Sequence, residues 1–309
     1  MPLNPKCQPL IDGYNARYGG KVRNAETLPA VRAQMEAGPP PVVPEIASVE
    51  DRRIPGLHGD IPIRIYRPMK SASPLPVLVT FHGGGWCIGS VNSHDGTARR
   101  LALAGQCAVV SVDYRLAPEH KFPAPFDDCF AATKWVAEHG RELGVDASRL
   151  AVGGDSSGGN LAAAVALKAR DAGGPKLAFQ LLIYPALDRT LDTPSYKQNA
   201  KGYLLTRETM ATNWALYLRT DADSKNPYAC PNQAKDLRGL PSALIITAEY
   251  DPLRDDGDIY AKKLRAAGVP VTYTCYEGMI HAFFSYSDVL DEAKQALAQA
   301  GAALKQALR

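Results

Sequence analysis

The chain has no hydrophobic run long enough to cross a bilayer and no block of basic residues. Its first 20 residues contain neither the apolar core of a signal peptide nor a small-residue cleavage site. Lysine and arginine are scattered, the formal net charge is only +3, and no basic stretch alternates with aromatic residues. These absences argue against nucleic acid or a membrane surface as a partner. We therefore expect a soluble protein of the cytoplasm.

Cysteine is sparse and dispersed. The chain has six cysteines in 309 residues, and no two of them stand in a C-x-x-C arrangement. Such usage is typical of free thiols in a reducing compartment and does not indicate a disulfide framework or a zinc site. We expect no metal and no cofactor.

Apolar runs alternate with helical patterns over most of the chain. With 46% hydrophobic residues the chain can bury a large core, and its length fits one α/β core with an insertion. Continuous apolar runs predict strands that are buried on both faces, at residues 76–81, 107–114, 177–184 and 242–249. Helical patterns between such runs predict a mostly parallel central sheet flanked by helices.

Two stretches fall outside this alternation. Residues 1–45 carry two helical patterns and end near a proline-rich segment, residues 38–41, which we interpret as a stiff linker. Residues 188–238 are too long for an ordinary connection. We therefore predict a core over residues 46–309, interrupted by a cap insertion at about 188–238, with the helices of residues 1–45 packing against that insertion.

A glycine-rich corner separates one apolar run from an alanine-rich helical pattern. The corner, Gly154-Asp155-Ser156-Ser157-Gly158, fits the nucleophile-elbow pattern G-x-S-x-G. There, glycines leave room for a strained turn that exposes the serine hydroxyl, and the following helix directs free N–H groups at it. A solvated glycine–serine turn is the alternative, but the strand before and the helix after favour Ser156 as a nucleophile.

Three consecutive glycines follow the buried run at residues 76–81. The segment reads His82-Gly83-Gly84-Gly85-Trp86, and its glycines imply a backbone that comes very close to another group. In α/β-hydrolases an HGGG-type loop supplies backbone N–H groups to an oxyanion hole. A flexible loop beside a core tryptophan would also fit, but the elbow at Ser156 favours the oxyanion hole.

A serine nucleophile needs a histidine base and a carboxylate that orients it. In α/β-hydrolases these follow the serine in the order acid, then histidine. Of the six histidines only His281 follows Ser156. Asp251 comes directly after a predicted strand and is the preferred acid, with Asp255 in reserve and Glu277 as a weaker alternative.

Taken together, these segments resemble the hormone-sensitive-lipase-like carboxylesterases, the bacterial family IV esterases of the α/β-hydrolase fold. The matching segments lie at residues 82–86, 113–119, 154–160, 251–257 and 278–283. The resemblance implies Ser156 as nucleophile, Asp251 as acid and His281 as base. It also implies an oxyanion hole formed by the N–H groups of the three residues Gly84, Gly85 and Ser157.

Ser157 departs from the family, which usually has alanine at this position. Because only its backbone is used there, we expect catalysis to be unaffected. The family also carries a helical cap built from the N-terminus and an insertion, and a homodimer is plausible by resemblance.

The expected activity is hydrolysis of small-molecule esters with short to medium acyl chains, through an acyl-enzyme and without a cofactor. The absence of a long apolar lid argues against a lipase acting at an oil–water interface. Candidate pocket walls are Trp86, Tyr203, Leu204 and Trp214. An amidase, lactonase or deacetylase on the same machinery stays open, as does a receptor of this fold without turnover.

Overall fold

The structure, a computed structural model, describes residues 1–18, 24–37 and 43–309. The predicted linker at residues 38–41 lies outside the described residues. Within the described ranges, no helix is both long and apolar enough to span a bilayer.

One sheet of eight strands organises the described part of the chain. Its spatial order is β1-β2-β4-β3-β5-β6-β7-β8, with β1 antiparallel to β2, β2 antiparallel to β4, and all later pairs parallel. The strands are β1 (Ser48–Gly56), β2 (Gly59–Arg67), β3 (Leu75–Phe81), β4 (Ala108–Val112), β5 (Val145–Asp155), β6 (Phe179–Ile183), β7 (Ser242–Tyr250) and β8 (Val271–Ile280). The mostly parallel sheet predicted from the apolar runs is confirmed.

Helices cover both faces of this sheet. They are α1 (Cys7–Tyr18), α2 (Leu28–Glu36), α3 (Asp95–Gly105), α4 (Ala124–His139), α5 (Ser157–Asp171), α6 (Pro194–Gln198), α7 (Arg207–Tyr217), α8 (Arg254–Ala266) and α9 (Asp291–Ala307). Alternate side chains of a strand point to opposite faces, so Val77 and Val79 join one apolar core while Leu78 joins the other. The first core also contains α4 and α5, and the second contains α3 and α9.

Two helices differ from the sequence-based expectation. Helix α3 was not anticipated, because its buried positions are mostly small residues that give a weak apolar pattern. The apolar spacing of Val289, Leu290, Ala293, Leu297 and Leu304 predicts a last helix from about Ser287, whereas the helix begins at Asp291. A short 3₁₀ turn over Phe283–Tyr286 precedes it.

The carboxyl ends of four parallel strands meet at one edge of the sheet. The glycine loop follows β3, the elbow follows β5, Asp251 follows β7 and His281 follows β8. Open α/β sheets bind ligands at this edge, because loops from neighbouring strands converge there.

The two stretches outside the strand–helix alternation are largely helical. Residues 188–238 contain α6, α7 and short 3₁₀ turns, and the N-terminal stretch contains α1 and α2. Leu28 and Val31 of α2 join the same apolar core as α7 residues Met210 and Trp214. Arg32, also on α2, donates to Cys87 O and Ala117 O, both at 2.8 Å.

Candidate active site

Ser156 sits at the turn between β5 and α5 in a strained backbone conformation. Its φ of 56° and ψ of −118° are rare for a residue with a side chain. A β-carbon on Gly158 would overlap the carbonyl of Phe81, and one on Gly154 would lie 2.5 Å from the same oxygen. Only glycine therefore fits on either side, and the turn holds Ser156 where its backbone N–H donates to Ile183 O at 2.8 Å.

His281 links this serine to a buried carboxylate. His281 Nε2 lies 3.0 Å from Ser156 Oγ, and His281 Nδ1 lies 2.6 Å from Asp251 Oδ2. Asp251 is fully buried and its other oxygen accepts the Leu253 N–H at 2.8 Å, so the carboxylate is fixed in orientation. Chains of this kind orient an imidazole to accept a proton from a serine.

The alternative acids lie elsewhere. Asp255 is on the first turn of α8, where its Oδ2 accepts the N–H of Ser195 at 2.8 Å. Glu277 is an exposed residue of β8. Neither is hydrogen-bonded to His281, so the structure brings Asp251 to the position that a triad acid occupies.

The glycine loop after β3 adopts conformations that favour glycine. Gly84 and Gly85 have φ values of 124° and 62°, and Gly84 O accepts the N–H groups of Cys87 and Ile88 at 3.2 and 3.1 Å. Ser157 is the first residue of α5, so its N–H has no partner within the helix. The loop glycines and Ser156 line the same cavity.

A charged pair lies directly beneath this loop. Asp155 Oδ1 accepts the Gly83 N–H at 3.0 Å and lies 3.4 Å from His94 Nε2. Burial lowers the pKa of His94, but the charge of Asp155, the hydrogen bond to Asp155 and the hydrogen bond to the Ser90 backbone together outweigh burial and raise the pKa above its usual value. Burial raises the pKa of Asp155 while His94 and the Gly83 N–H act in the opposite direction, and the net pKa is lowered. When His94 is protonated, it therefore forms an ion pair with the Asp155 carboxylate.

His82 is the neutral member of this cluster. Burial lowers its pKa to about 3, and the neighbouring charge of His94 adds to the effect. Its ring stacks on Tyr114 with 4.3 Å between centroids, and Tyr114 donates its hydroxyl to His82 O at 2.7 Å. The start of the glycine loop is thus fixed by the stacked Tyr114 ring and by two hydrogen bonds, one from the Tyr114 hydroxyl to His82 O and one from the Gly83 N–H to Asp155.

The cavity in front of Ser156 has a volume of about 220 Å³. Ser156 and His281 lie on its wall together with the glycine loop. The apolar wall comes from the N-terminal helices, the loop after the glycines and residues 188–238, through Tyr14, Met35, Ile88, Leu204, Leu205 and Met210. A partly enclosed, mostly apolar cavity with few polar groups is typical of a small-molecule site.

The four predicted pocket residues have different positions. Leu204 lines the cavity. Trp86 and Trp214 are fully buried, with their rings 4.4 Å apart, so no water-sized molecule reaches either and neither is a cavity wall. Tyr203 packs on Tyr250 at 4.9 Å and does not line this cavity. An aromatic side chain fills a core as readily as it lines a pocket, so the residue type alone could not show which of the two positions these tryptophans occupy.

Sequence reasoning missed Met210 and Asn213, which both line the cavity from α7. Their i, i+3 spacing could have placed them on one helix face, but no motif shows which face of α7 meets the catalytic serine. Among the described residues, no group of three or more His, Cys, Asp or Glu side chains is arranged to hold a metal ion.

A family model described as the alpha/beta hydrolase fold matches residues 78–285 of the chain. Carboxylesterase NlhH of Mycobacterium tuberculosis is 43% identical, over 99% of this chain and 96% of its own length. The ethyl acetate hydrolase of Pseudomonas putida is 35% identical over the full length of both chains. Among solved structures, a thermostable esterase from Pseudomonas putida superposes with a TM-score of 0.92 at 40% identity, covering 100% of this chain and 98% of that one.

Proposed function

Because the chain belongs to the hormone-sensitive-lipase-like carboxylesterases of the α/β-hydrolase fold, we propose that Ser156, His281 and Asp251 carry its ester hydrolysis. The protein is a carboxylic ester hydrolase that acts on small-molecule esters. The residue assignment rests on the hydrogen bonds that connect Ser156 to His281 and His281 to Asp251. Ser156 and His281 also line the cavity.

The proposed reaction has two acyl-transfer steps. Ser156 Oγ attacks the ester carbonyl carbon while its proton passes to His281 Nε2, which gives a tetrahedral oxyanion and an imidazolium beside Asp251. The N–H groups of Gly84, Gly85 and Ser157 stabilise that oxyanion. The bond to the alkoxy oxygen then breaks, and His281 returns the proton to the departing alcohol.

Water completes the cycle. His281 takes a proton from the water as its oxygen attacks the acyl-enzyme, and the same N–H groups stabilise the second oxyanion. When the bond to Ser156 Oγ breaks, His281 gives the proton back to the serine and the carboxylic acid leaves. Atoms and charges balance with these residues and water alone.

We propose short to medium acyl chains as substrates. A cavity of about 220 Å³ with apolar walls supports this, because it can desolvate a small acyl chain but not a long one. The relative named ethyl acetate hydrolase also supports short acyl chains.

The division into a core and a cap is part of the proposal. Cavity residues come from the N-terminal helices (Tyr14, Met35) and from residues 188–238 (Leu204, Met210, Asn213), while the triad comes from the core. We therefore assign residues 1–45 and 188–238 to a cap that shapes the pocket, on a catalytic core that makes up the rest of residues 46–309.

The cytoplasm is the proposed compartment. All six cysteines are free thiols, and five of them are buried. Free, unpaired cysteines support a reducing environment. A homodimer stays a prediction from the family resemblance.

The test is the initial rate on p-nitrophenyl esters from acetate to palmitate. We expect a maximum at short or medium chains, and a loss on the order of 10⁶-fold in kcat for Ser156→Ala. Ser148→Ala, which removes an exposed hydroxyl far along β5, is the matched control and should keep wild-type rates. Unchanged turnover in folded Ser156→Ala would overturn the nucleophile, and a maximum at palmitate would overturn the acyl-chain range.

A further inference from the structure

Helix α7 places one polar side chain in an otherwise apolar buried face. Its buried residues are Met210, Asn213, Trp214 and Tyr217, at the i, i+3, i+4 and i+7 positions of one helix face. The two aromatic residues pack on Trp86, with ring centroids 4.4 and 4.3 Å from it. Met210 and Asn213 instead face the catalytic cavity.

Asn213 packs directly on the glycine loop. A β-carbon built on Gly85 would overlap the Asn213 carboxamide, with Cγ 2.5 Å away. The carboxamide therefore lies against the face of Gly85, and both residues line the cavity that contains Ser156. A group bound to Asn213 would be next to the position that the ester carbonyl occupies in the proposed reaction.

The Asn213 carboxamide makes no hydrogen bond to any residue in the part of the chain that the structure describes. Asn213 is 2% exposed, and its Oδ1 is buried without a donor. Buried amide groups are nearly always hydrogen-bonded, so an unpaired one calls for an explanation. Two other polar side chains that line the cavity are engaged: Asp155 with Gly83 and His94, and His281 with Ser156 and Asp251.

From these observations we infer that Asn213 is a substrate-recognition residue that selects esters carrying a hydroxyl close to the scissile carbonyl. The inference rests on the proposed function of Ser156. A hydroxyl supplies both a donor for a carboxamide oxygen and an acceptor for a carboxamide N–H, so one such group can satisfy an otherwise unpaired amide. Because Asn213 packs on Gly85, whose N–H is proposed to hold the ester carbonyl oxygen, we place the hydroxyl one or two carbons from the ester group.

The hydroxyl can belong to either side of the ester, since both sides adjoin the carbonyl. On the acyl side the substrates are esters of 2- or 3-hydroxy acids. On the alcohol side they are monoesters of diols. The chemistry recognised by Asn213 is the same, and substrate pairs distinguish the two.

The experiment measures kcat/KM by pH-stat titration on pairs that differ only by a hydroxyl in place of a methyl group. The acyl-side pairs are methyl 2-hydroxypropanoate with methyl 2-methylpropanoate, and methyl 3-hydroxybutanoate with methyl 3-methylbutanoate. The alcohol-side pair is 2-hydroxyethyl butanoate with propyl butanoate. We expect the wild type to favour the hydroxylated member of at least one pair by about tenfold.

The variant Asn213→Leu replaces the carboxamide by an apolar group of similar shape. We expect the preference for the hydroxylated member to fall to about one, because the hydrogen bonds are lost and the methyl member gains an apolar neighbour. Met210→Leu, on the same helix face and the same cavity wall, alters shape without touching a hydrogen bond and should keep the wild-type ratio. Asn213→Ala provides a second measurement if the leucine variant folds poorly.

Stability separates recognition from a structural role. A structural asparagine would lower the unfolding temperature when replaced, whereas an unpaired recognition group should not, because its burial is a cost to the free protein. We expect Asn213→Leu to unfold at no lower temperature than the wild type.

The results that would overturn this inference differ from the results that would overturn the proposed function. If the wild type hydrolyses the methyl members through Ser156 but prefers neither member of any pair, the inference fails while the proposed function stands. A preference that survives in Asn213→Leu also overturns it. If no ester is hydrolysed, or Ser156→Ala is as active as the wild type, the proposed function itself fails.

Discussion

The backbone N–H of Gly83 donates to the carboxylate of Asp155, at 3.0 Å from Oδ1. This bond joins the residue before the proposed nucleophile, Ser156, to the first glycine of the loop that is proposed to hold the oxyanion. Two segments 72 residues apart in sequence are thereby fixed relative to each other beside Ser156. We expect Asp155 to act as a positioning residue, whose effect on the reaction is exerted through the loop.

Replacing Asp155 should lower kcat more than it changes KM. Asp155→Ala removes the nearer acceptor of the Gly83 N–H and leaves only His94 Nε2, at 3.3 Å. The loop is then held less firmly beside Ser156, so we expect kcat to fall by about 10²-fold, the cost of losing an oxyanion donor. Asp155→Asn keeps an acceptor oxygen but loses the charge that faces His94, and should fall between the alanine variant and the wild type. Steady-state kinetics on a short p-nitrophenyl ester measures both. A wild-type kcat in Asp155→Ala would show that the loop is fixed without this bond.

A methyl group at Gly84 should abolish activity. Gly84 has φ of 124°, and a β-carbon there would overlap the carbonyl of Ile88, so the loop must move. We expect Gly84→Ala to lose at least about 10²-fold in kcat/KM. Gly59, the first residue of β2, has the same φ of 124° with no heavy atom within 4 Å of a built β-carbon.

Gly59→Ala is therefore the matched control, because it carries the same backbone strain away from the site. It should lower the free energy of unfolding by about 1 kcal/mol and leave kcat/KM unchanged. Similar losses of activity in both variants would mean that the Gly84 effect comes from general destabilisation.

Arg32 should control how firmly helix α2 closes the cavity. Its guanidinium donates to Cys87 O and Ala117 O and forms two hydrogen bonds with Glu119, each at 2.9 Å. Since Met35 of the same helix lines the cavity, loosening α2 should weaken substrate binding. We expect Arg32→Ala to raise KM several-fold with a smaller change in kcat, and to lower the free energy of unfolding by about 1–3 kcal/mol.

Arg32→Lys should recover little of the Arg32→Ala loss, because an ammonium cannot reproduce the planar set of donors that reaches three acceptors at once. Arg17→Ala, which removes a donor to Gln34 O on the exposed side of α2, is the control and should leave KM unchanged. An unchanged KM in Arg32→Ala would separate α2 from substrate binding.

The stability of the protein should depend on pH through Asp256. This residue is 1% exposed, and its Oδ2 accepts the N–H groups of Leu187 and Asp188 at 3.0 and 3.2 Å. Burial raises the pKa of Asp256 well above its usual value; the N–H of Leu187 lowers it and the charge of Asp188 raises it. Since the unfolded chain ionises at a lower pH, the wild type loses stability as the pH rises from about 4 toward the folded pKa.

Asp256→Asn keeps an acceptor oxygen and cannot ionise, so its stability relative to the wild type should increase with pH over this range. Asp256→Ala leaves two buried N–H groups without an acceptor and should be about 1–3 kcal/mol less stable than Asp256→Asn at every pH, since neither variant ionises at this position. Urea unfolding of the three proteins between pH 4.5 and 8 measures the differences. If the difference in free energy of unfolding between Asp256→Asn and the wild type does not change with pH, the raised pKa of Asp256 is contradicted.

Chain order and local motifs were enough to select the three residues of the proposed triad from the sequence. Glycine at positions 154 and 158 reflects a turn too tight for any β-carbon, so the elbow is visible wherever it occurs. His281 was chosen because it is the only histidine after Ser156, and Asp251 because it follows a strand directly. Each of these arguments depends on neighbours in sequence, and the structure brings the three side chains together.

The pocket could not be assigned in the same way. Trp86 follows the glycine loop directly and Trp214 lies in the predicted cap insertion, yet both are in the core: Trp86 stacks on Tyr217, and the Trp214 ring packs at a tilt against both. Which face of α7 meets the cavity depends on how residues 188–238 cross over the sheet, and no local pattern encodes that crossing. The same reason hid Asn213, whose significance lies in its contact with Gly85, 128 positions earlier in the chain.

The sequence by itself determined the mostly parallel sheet, the strained serine turn, the glycine loop and the order of the proposed triad, because each depends on backbone geometry or on spacing that side chains enforce locally. Only the tertiary structure decided which side chains of residues 188–238 face Ser156, that His94 Nε2 lies 3.4 Å from Asp155 Oδ1 beneath the glycine loop, and that Asn213 Oδ1 is left unpaired beside it. These depend on contacts between segments far apart in sequence, where packing and not local preference sets the distance.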